Sequence, residues 1–383
     1  MGKEYQQLRL KDFIQFNPKE KLAKGSIARK ITMEHIVPYN RYVYSNTFEE
    51  YKGGSKFRNG DTIMARITPC LENGKTAYVS SLDQNELAFG STEFIVLREI
   101  SDVSDKKYIY YLISTPEIRN IAIKSMVGSS GRQRVQQNVL ENYIVCLPSL
   151  KEQRRIANIL SSLDDKIELN RRINENLEQQ AQALFKAWFV DFEPFKDGKF
   201  VDSELGMIPE GWKVGNFEEF VEVKYGKDHK KLASGTIPVY GSGGIMRYVD
   251  RYLYNKESVL IPRKGSLNNV MYVNHPFWTV DTMFYTHMKI EGIAKFIYLL
   301  ISPKDLLSMN SGSAVPSMTV DILNKIAIII PPTTILQQFE SIVKPFFIMA
   351  ESLQKENQRL AHLRDTLLPK LMSGELKIND LSI

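Results

Sequence analysis

The sequence predicts an α+β protein: two strand-rich globular blocks, each followed by a long helix, with the helices pairing as an intramolecular antiparallel coiled coil in a pseudo-twofold arrangement. Three observations predict this. At 383 residues the chain exceeds one ordinary hydrophobic core and suits two domains with connectors. An apolar series is written twice. Pro148 is followed by Ile156, Leu160, Leu163, Ile167, Asn170, Asn174, Leu177, Ala181, Leu184 and Trp188. Pro331 is followed by Phe339, Val343, Phe346, Ala350, Leu353, Asn357, Leu360, Arg364, Leu367 and Leu371 at a constant offset (331 − 148 = 183). Steps of four and three are the heptad pattern of a two-helix seam. The blocks before the helices also echo each other, with Tyr5, Leu10, Asp12 and Phe13 aligning with Trp212, Phe217, Glu219 and Phe220.

The first block is assigned to residues 1–147. Asp61–Ile67 and Glu93–Leu97 run apolar in the manner of strands, punctuated by Gly60, Gly74 and Gly90. Lys107–Ser114 reads as a helix that Thr115-Pro116 ends, and Tyr143–Leu147 as a last strand. A central helix follows over 148–192. Pro194, Gly198 and a run of charges make 193–206 a linker. The second block occupies 207–330 and a C-terminal helical segment 331–383. Between the blocks, Phe57–Arg66 aligns with Tyr254–Arg263 at an offset of 197, and Tyr111-Leu112 with Tyr298-Leu299 at 187. A falling offset means a shared framework with loops of different length. Loops carry specificity, so the blocks should bind two different things of one kind.

The seam is assigned to Ile156, Leu160, Leu163, Ile167, Asn174, Leu177 and Leu184 on the first helix. On the second it is assigned to Phe339, Val343, Phe346, Leu353, Asn357, Leu360 and Leu367. Asn174 and Asn357 are equivalent at the 183 offset. A seam Asn selects register at some expense of stability; a frayed, solvated seam is the alternative. Arg364 is expected at a wet end of the rod, and Pro345 is expected to kink or restart its helix.

Composition is that of a soluble globular protein, 43% hydrophobic and 25% charged. No apolar run reaches the length of a membrane span. The N-terminus lacks an apolar signal core, and Gly2 alone does not establish acylation. Cys70 and Cys146 form no paired motif and read as reduced thiols, so a cytoplasmic location is expected. The net charge of +6 lies mainly in the blocks: residues 1–150 hold 21 Lys/Arg against 16 Asp/Glu. That excess is compatible with a polyanion partner. No phosphate-binding GxxxxGK[ST] loop, methyltransferase Asn-Pro-Pro-aromatic loop or metal-ligand spacing among the five histidines is present. Glu375-Leu376-Lys377 mimics the end of a nuclease motif but falls at a helix tail. The economical reading is a binding protein with no catalytic residues, no metal and no cofactor of its own.

Loops that combine Gly, basic, amide and aromatic residues are the candidates for nucleic-acid contact. In the first block these supply Arg41, Tyr42, Asn46, Lys56, Arg132, Gln133 and Arg134. In the second they supply Lys227, Lys230, Lys231, Tyr240, Ser242, Lys264, Ser266, Asn268 and Asn269. Arg and Lys neutralise phosphates or grip guanine edges, and Asn and Gln pair with adenine. Exposed polar loops of this composition also occur in proteins that bind no DNA. Arg66 and Arg263 align, each after a strand, and are also candidates for structural ion pairs.

Two regions are specific enough to suggest a family. Leu147-Pro148-Ser149-Leu150-Lys151-Glu152-Gln153-Arg154-Arg155-Ile156-Ala157 leads through Leu163-Asp164-Asp165-Lys166-Ile167 to Leu184-Phe185-Lys186-Ala187-Trp188-Phe189. Ser203-Glu204-Leu205-Gly206-Met207-Ile208-Pro209-Glu210-Gly211-Trp212 then opens the second block, and Leu367-Leu368-Pro369-Lys370-Leu371-Met372-Ser373-Gly374-Glu375-Leu376 closes the chain. These segments resemble the specificity (S) subunits of type I restriction–modification systems. The resemblance implies two target recognition domains, each reading one half of a bipartite, asymmetric site on double-stranded DNA. It implies helices that set the gap and dock two modification (methyltransferase) subunits, joined by restriction (translocase/nuclease) subunits. S-adenosylmethionine, ATP and Mg would then belong to those partners, with adenine as the methylated base. The rival reading is a coiled-coil scaffold whose heads bind proteins or small ligands; it predicts no salt-sensitive DNA affinity.

Overall fold

In the computed structural model, residues 5–310 and 316–378 are described; Gly2 and the outer ends of the expected 1–147 and 331–383 segments lie outside them. The chain divides into two units, one of Met1–Arg172 with Leu353–Ile383 and one of Ile173–Ser352. Each unit therefore takes a share of both long helices, Leu150–Phe189 and Thr333–Ser373.

The first unit opens on a strand, Tyr5–Arg9, that pairs antiparallel with Ile144–Pro148 immediately before the first long helix. An antiparallel sheet follows in the spatial order Ile14–Phe16, Phe94–Glu99, Thr62–Ala65, Thr76–Tyr78. Thr62–Ala65 is buried on both faces, which is why it reads as a continuous apolar run and not as an alternation. A second sheet orders Phe48–Glu50, Ile27–Ile31, Leu87–Gly90 and Ser55–Arg58. The helix Lys106–Ser114 starts where the Asp105 carboxylate accepts from the N–H groups of Lys107 and Tyr108. Thr115 ends it, as expected, but also caps a second helix, Pro116–Lys124, whose first position suits proline because that N–H has no helical partner. The core gathers Leu10, Phe13, Tyr108, Tyr111 and Leu147 with Ile156 and Leu160 of the first long helix and Leu368, Leu371 and Met372 of the second.

The second unit repeats this plan. Lys213–Asn216 pairs antiparallel with Ala327–Ile330. Its four-stranded sheet orders Val221–Tyr225, Met283–Met288, Ser258–Pro262 and Met271–Val273. The equivalence extends to register: Ile14 faces Glu99 in one sheet and Val221 faces Met288 in the other. The aligned pairs Leu10/Phe217 and Phe13/Phe220 are all buried in their respective cores. The accessory sheets differ, the second unit having three strands, Gly244–Val249, Ser234–Gly241 and Trp278–Thr279. Here the core takes Ala181, Phe185 and Phe189 from the first long helix and Leu336, Phe339 and Val343 from the second.

Within the first unit the helices run antiparallel, since Asp164 meets Arg364 and Asn170, further along, meets the earlier Asn357. The seam is not uniform. Ile156, Leu160, Phe339 and Val343 are buried because they pack into the block cores, whereas Leu163, Ile167, Leu177, Leu353 and Leu360 are half-buried. Leu184 and Phe346 pack at the margin of the second core and Leu367 at that of the first. Two expectations are corrected. Arg364 is not at a wet end: it lies 2.6 Å from the buried Asp164 carboxylate. Pro345 does not restart its helix, which is continuous over Thr333–Ser373. The amide lock also differs from the expected one. Asn170 Nδ2 donates to Asn357 Oδ1 at 2.9 Å and to Glu356 at 2.7 Å, while Asn174 Oδ1 is buried without a partner. At the 183 offset Asn170 corresponds to Leu353, so the duplicated helix carries no second amide for such a pair.

Candidate nucleic-acid interface

Arg41 does not reach toward solvent. It is 3% exposed, and its guanidinium donates to the Tyr111 hydroxyl (3.2 Å), the Ser161 carbonyl (3.4 Å) and Asp165 (2.5 Å). Burial opposes its charge, but the surrounding Tyr111, Tyr42 and Asp165 oxygens outweigh burial and raise its pKa. The Tyr42 hydroxyl donates to the same Asp165. Tyr111 donates to Asp164 (2.5 Å), which also accepts from Arg364. These groups tie the first block to both long helices. Of these two DNA-contact candidates, Arg41 is spent on the joint, because a buried guanidinium needs internal acceptors, while Tyr42 is half-buried and bonded to the same carboxylate. The second unit has its own joint on the aligned tyrosine: Tyr298 donates to Glu178 of the first long helix at 2.6 Å. Asp164, Asp165 and Glu178 were missed as functional positions. The alignment of Tyr111 with Tyr298 was the available signal, but their acceptors lie 53 and 120 residues away in sequence.

Two other candidates are also engaged internally. Lys56 donates to the Glu20 carbonyl and stands over the Tyr51 ring at 5.8 Å. Tyr240 is buried, which pushes its hydroxyl pKa up to about 12.

The remaining candidates of the second unit converge. Gly226 and Lys227 follow the strand Val221–Tyr225 and donate to the carbonyls of Met283 (3.0 Å) and Thr279 (2.8 Å). Arg263 follows Ser258–Pro262 and donates to Thr282 at 2.8 Å. Val280 donates to Tyr240 at 3.0 Å, which brings the strand Ser234–Gly241 and its tip to the same edge. At that tip the Ser242 carbonyl accepts from Asn269 at 2.8 Å. Gly265 sits at φ +85, a backbone conformation that favours glycine, and a Cβ there would lie 2.9 Å from the Ser242 hydroxyl, so the two loops lie close together. Buried Leu267 anchors the second loop and leaves Lys264, Ser266 and Asn268 exposed, Asn268 donating to Asp305 at 3.1 Å. Lys227, Lys230 and Lys231 are exposed on the loop after Tyr225.

The first unit gathers a smaller set. Thr68 N–H donates to Gln133 at 3.0 Å, and Arg134 exchanges backbone bonds with Val127. Between them the Gly128–Arg134 loop turns through two glycines of positive φ. Arg132 is exposed and Gln133 half-buried, while Arg134 pairs with Glu93 at 2.7 Å. Asn46 is exposed on a different loop. What the two edges offer is a rim of backbone amides, amide side chains and cations, suited to an extended anion and its polar edges. Among the described residues, no group of three or more His, Cys, Asp or Glu is arranged to hold a metal ion, and no helix is long and apolar enough to cross a membrane.

Two duplicated recognition-type units carried on shared helices define a class, and comparison with known proteins names it. A family model described as the type I restriction modification DNA specificity domain matches residues 2–179 and again 209–362. The MjaIX specificity subunit of Methanocaldococcus jannaschii is 31% identical over 303 residues, covering 72% of this chain and 70% of that protein. The HindI specificity subunit of Haemophilus influenzae is 24% identical over 408 residues, covering 83% and 87%. The crystal structure of a type I restriction–modification S subunit from M. genitalium shares the fold, with a TM-score of 0.55 at 20% identity and 96% coverage of both chains. The chain belongs to the type I restriction–modification DNA specificity family, and its role is that of a DNA sequence-specificity subunit in such a system.

Proposed function

We propose that each unit reads one half of a bipartite, asymmetric DNA sequence, and that the long helices set the gap between halves and dock two modification subunits. The observation that carries this reading is the pair of four-stranded sheets, equal in order and register, whose equivalent edges bear different loops. A kept framework positions two readers alike; divergent loops let them read different bases. Family membership and the lack of catalytic motifs fit a division of labour. The modification subunits would bring S-adenosylmethionine and extrude the target adenine, and restriction subunits would bring ATP- and Mg-dependent translocation and cleavage. Such an assembly would work in the cytoplasm.

Exchange of residues 1–147 for the corresponding block of another family member tests the assignment. In the complete complex, one half of the methylated sequence should change while the other half stays. A methylated sequence that stays whole, or one that changes in both halves, contradicts it.

A further inference from the structure

Arg66 and Arg263 were open to a structural ion-pair role, and the structure removes it. Among the described residues neither guanidinium lies within salt-bridge distance of a carboxylate. Arg66 is partly exposed, its Nε is buried without a hydrogen-bond partner, and among the described residues no bond engages its other side-chain nitrogens. Among the described residues the Arg263 guanidinium donates to the Asp281 carbonyl alone, at 3.1 Å, and stands 5.4 Å from the centre of the exposed Tyr225 ring.

Their backbones are held identically. Each arginine immediately follows the equivalent sheet strand, Thr62–Ala65 in one unit and Ser258–Pro262 in the other. Arg66 N–H donates to Glu93 and its carbonyl accepts from Val135, both at 2.9 Å. Arg263 N–H donates to Thr282 and its carbonyl accepts from Met318, both at 2.8 Å. Val135 and Met318 stand at the 183-residue offset of the helices. Each arginine adjoins its unit's polar loop, Arg66 through Thr68 and Gln133, Arg263 through Lys264 and Gly265. Two partly exposed guanidiniums without a carboxylate partner thus stand at the same place in the two units, free to meet an external anion.

We infer that Arg66 and Arg263 are matched phosphate anchors, each gripping the DNA backbone beside its own half-site. The inference rests on the half-site reading. Two readers of different sequences need different base contacts, so a residue shared in identity and backbone setting serves what the half-sites have in common, which is the phosphodiester chain. The fixed strand end sets each unit's register on the duplex, and the neighbouring loops then address the bases.

The test uses the complex assembled with its modification subunits. R66Q and R263Q should each weaken cognate and non-cognate duplexes alike and leave the methylated sequence unchanged. Each should also lower the slope of log affinity against log salt by about 0.9. Between roughly 50 and 200 mM salt, each variant would then lose about 3.5-fold less affinity than the unaltered complex. An unchanged slope overturns the inference, and so does a sequence relaxed in one half-site, which would make the arginine a base reader. Should a glutamine variant fail to assemble, single methylphosphonate substitutions probe the unaltered complex. One sensitive phosphate at equivalent places beside each half-site is expected; sensitivity beside only one half, or none, overturns the inference. The block exchange separates this failure from failure of the half-site reading. A half-changed methylated sequence with unaltered salt slopes in R66Q and R263Q retains the reading and discards the anchors.

Discussion

Asp164 and Arg364 meet 2.6 Å apart, with side chains 3% and 12% exposed, and Tyr111 shares the carboxylate. Removing Arg364 would leave the Asp164 carboxylate buried without a cation, whereas removing Asp164 leaves Arg364 its second carboxylate, Asp365, at 2.8 Å. R364L should therefore destabilise the first unit by about 3–5 kcal/mol and D164L by less, whereas D164L combined with R364L should lose much less than the sum of the two. Chemical denaturation of the two single variants and the double variant checks this; strictly additive losses would show that the pair is not coupled. At this scale the sequence was informative about which residues are special and poor about what they touch. Arg41 looked like a DNA-contact residue because it sits in a polar, aromatic loop, yet its partners Ser161 and Asp165 lie 120 and 124 residues away. Burial decides such cases, and burial is set by tertiary packing that no local pattern records. Arg66 and Arg263 failed in the opposite direction: their alignment was legible, while their lack of a carboxylate partner among the described residues is set by tertiary packing.

Elements were more legible than residues because their signals are periodic. The first long helix, expected within 148–192, spans Leu150–Phe189. The expected strand at the end of the first block is Ile144–Pro148. The helix does not restart at Pro345 because proline's missing donor and steric clash are local penalties, while the surrounding helix is held by residues on both sides of it: Phe339 and Val343 in the second core, and Arg364, Leu368 and Leu371 in the first unit. The seam pattern was read as one stripe with an amide at Asn174 and Asn357 that either sets register or marks a frayed, solvated stretch. Instead its first and last turns belong to block cores, and an amide pair, Asn170 with Asn357, interrupts the apolar stripe. If the helices measure the gap between half-sites, removing one matched heptad from each shortens them by about 10 Å. The tolerated gap should then shrink by at most about three base pairs, at roughly 3.4 Å per pair. Methylation mapping of the doubly shortened protein reads this directly, and an unaltered gap rules out the measuring role.

At the scale of the whole molecule the informative fact is duplication with divergence. The helix repeat was visible without gaps because heptad packing tolerates neither insertion nor deletion. The blocks were visible only as a falling offset, since their loops differ in length while their sheet registers agree. Two equivalent frames with different rims are what a reader of two unlike half-sites needs. A scaffold for unrelated ligands has no use for matched arginines at matched strand ends. The most direct measurement is methylome sequencing of a host that carries the complete system with this chain. The account predicts a methylated sequence of two specific, unlike segments separated by a gap of fixed length and free composition. A single uninterrupted motif, or a perfectly symmetric one, would contradict it.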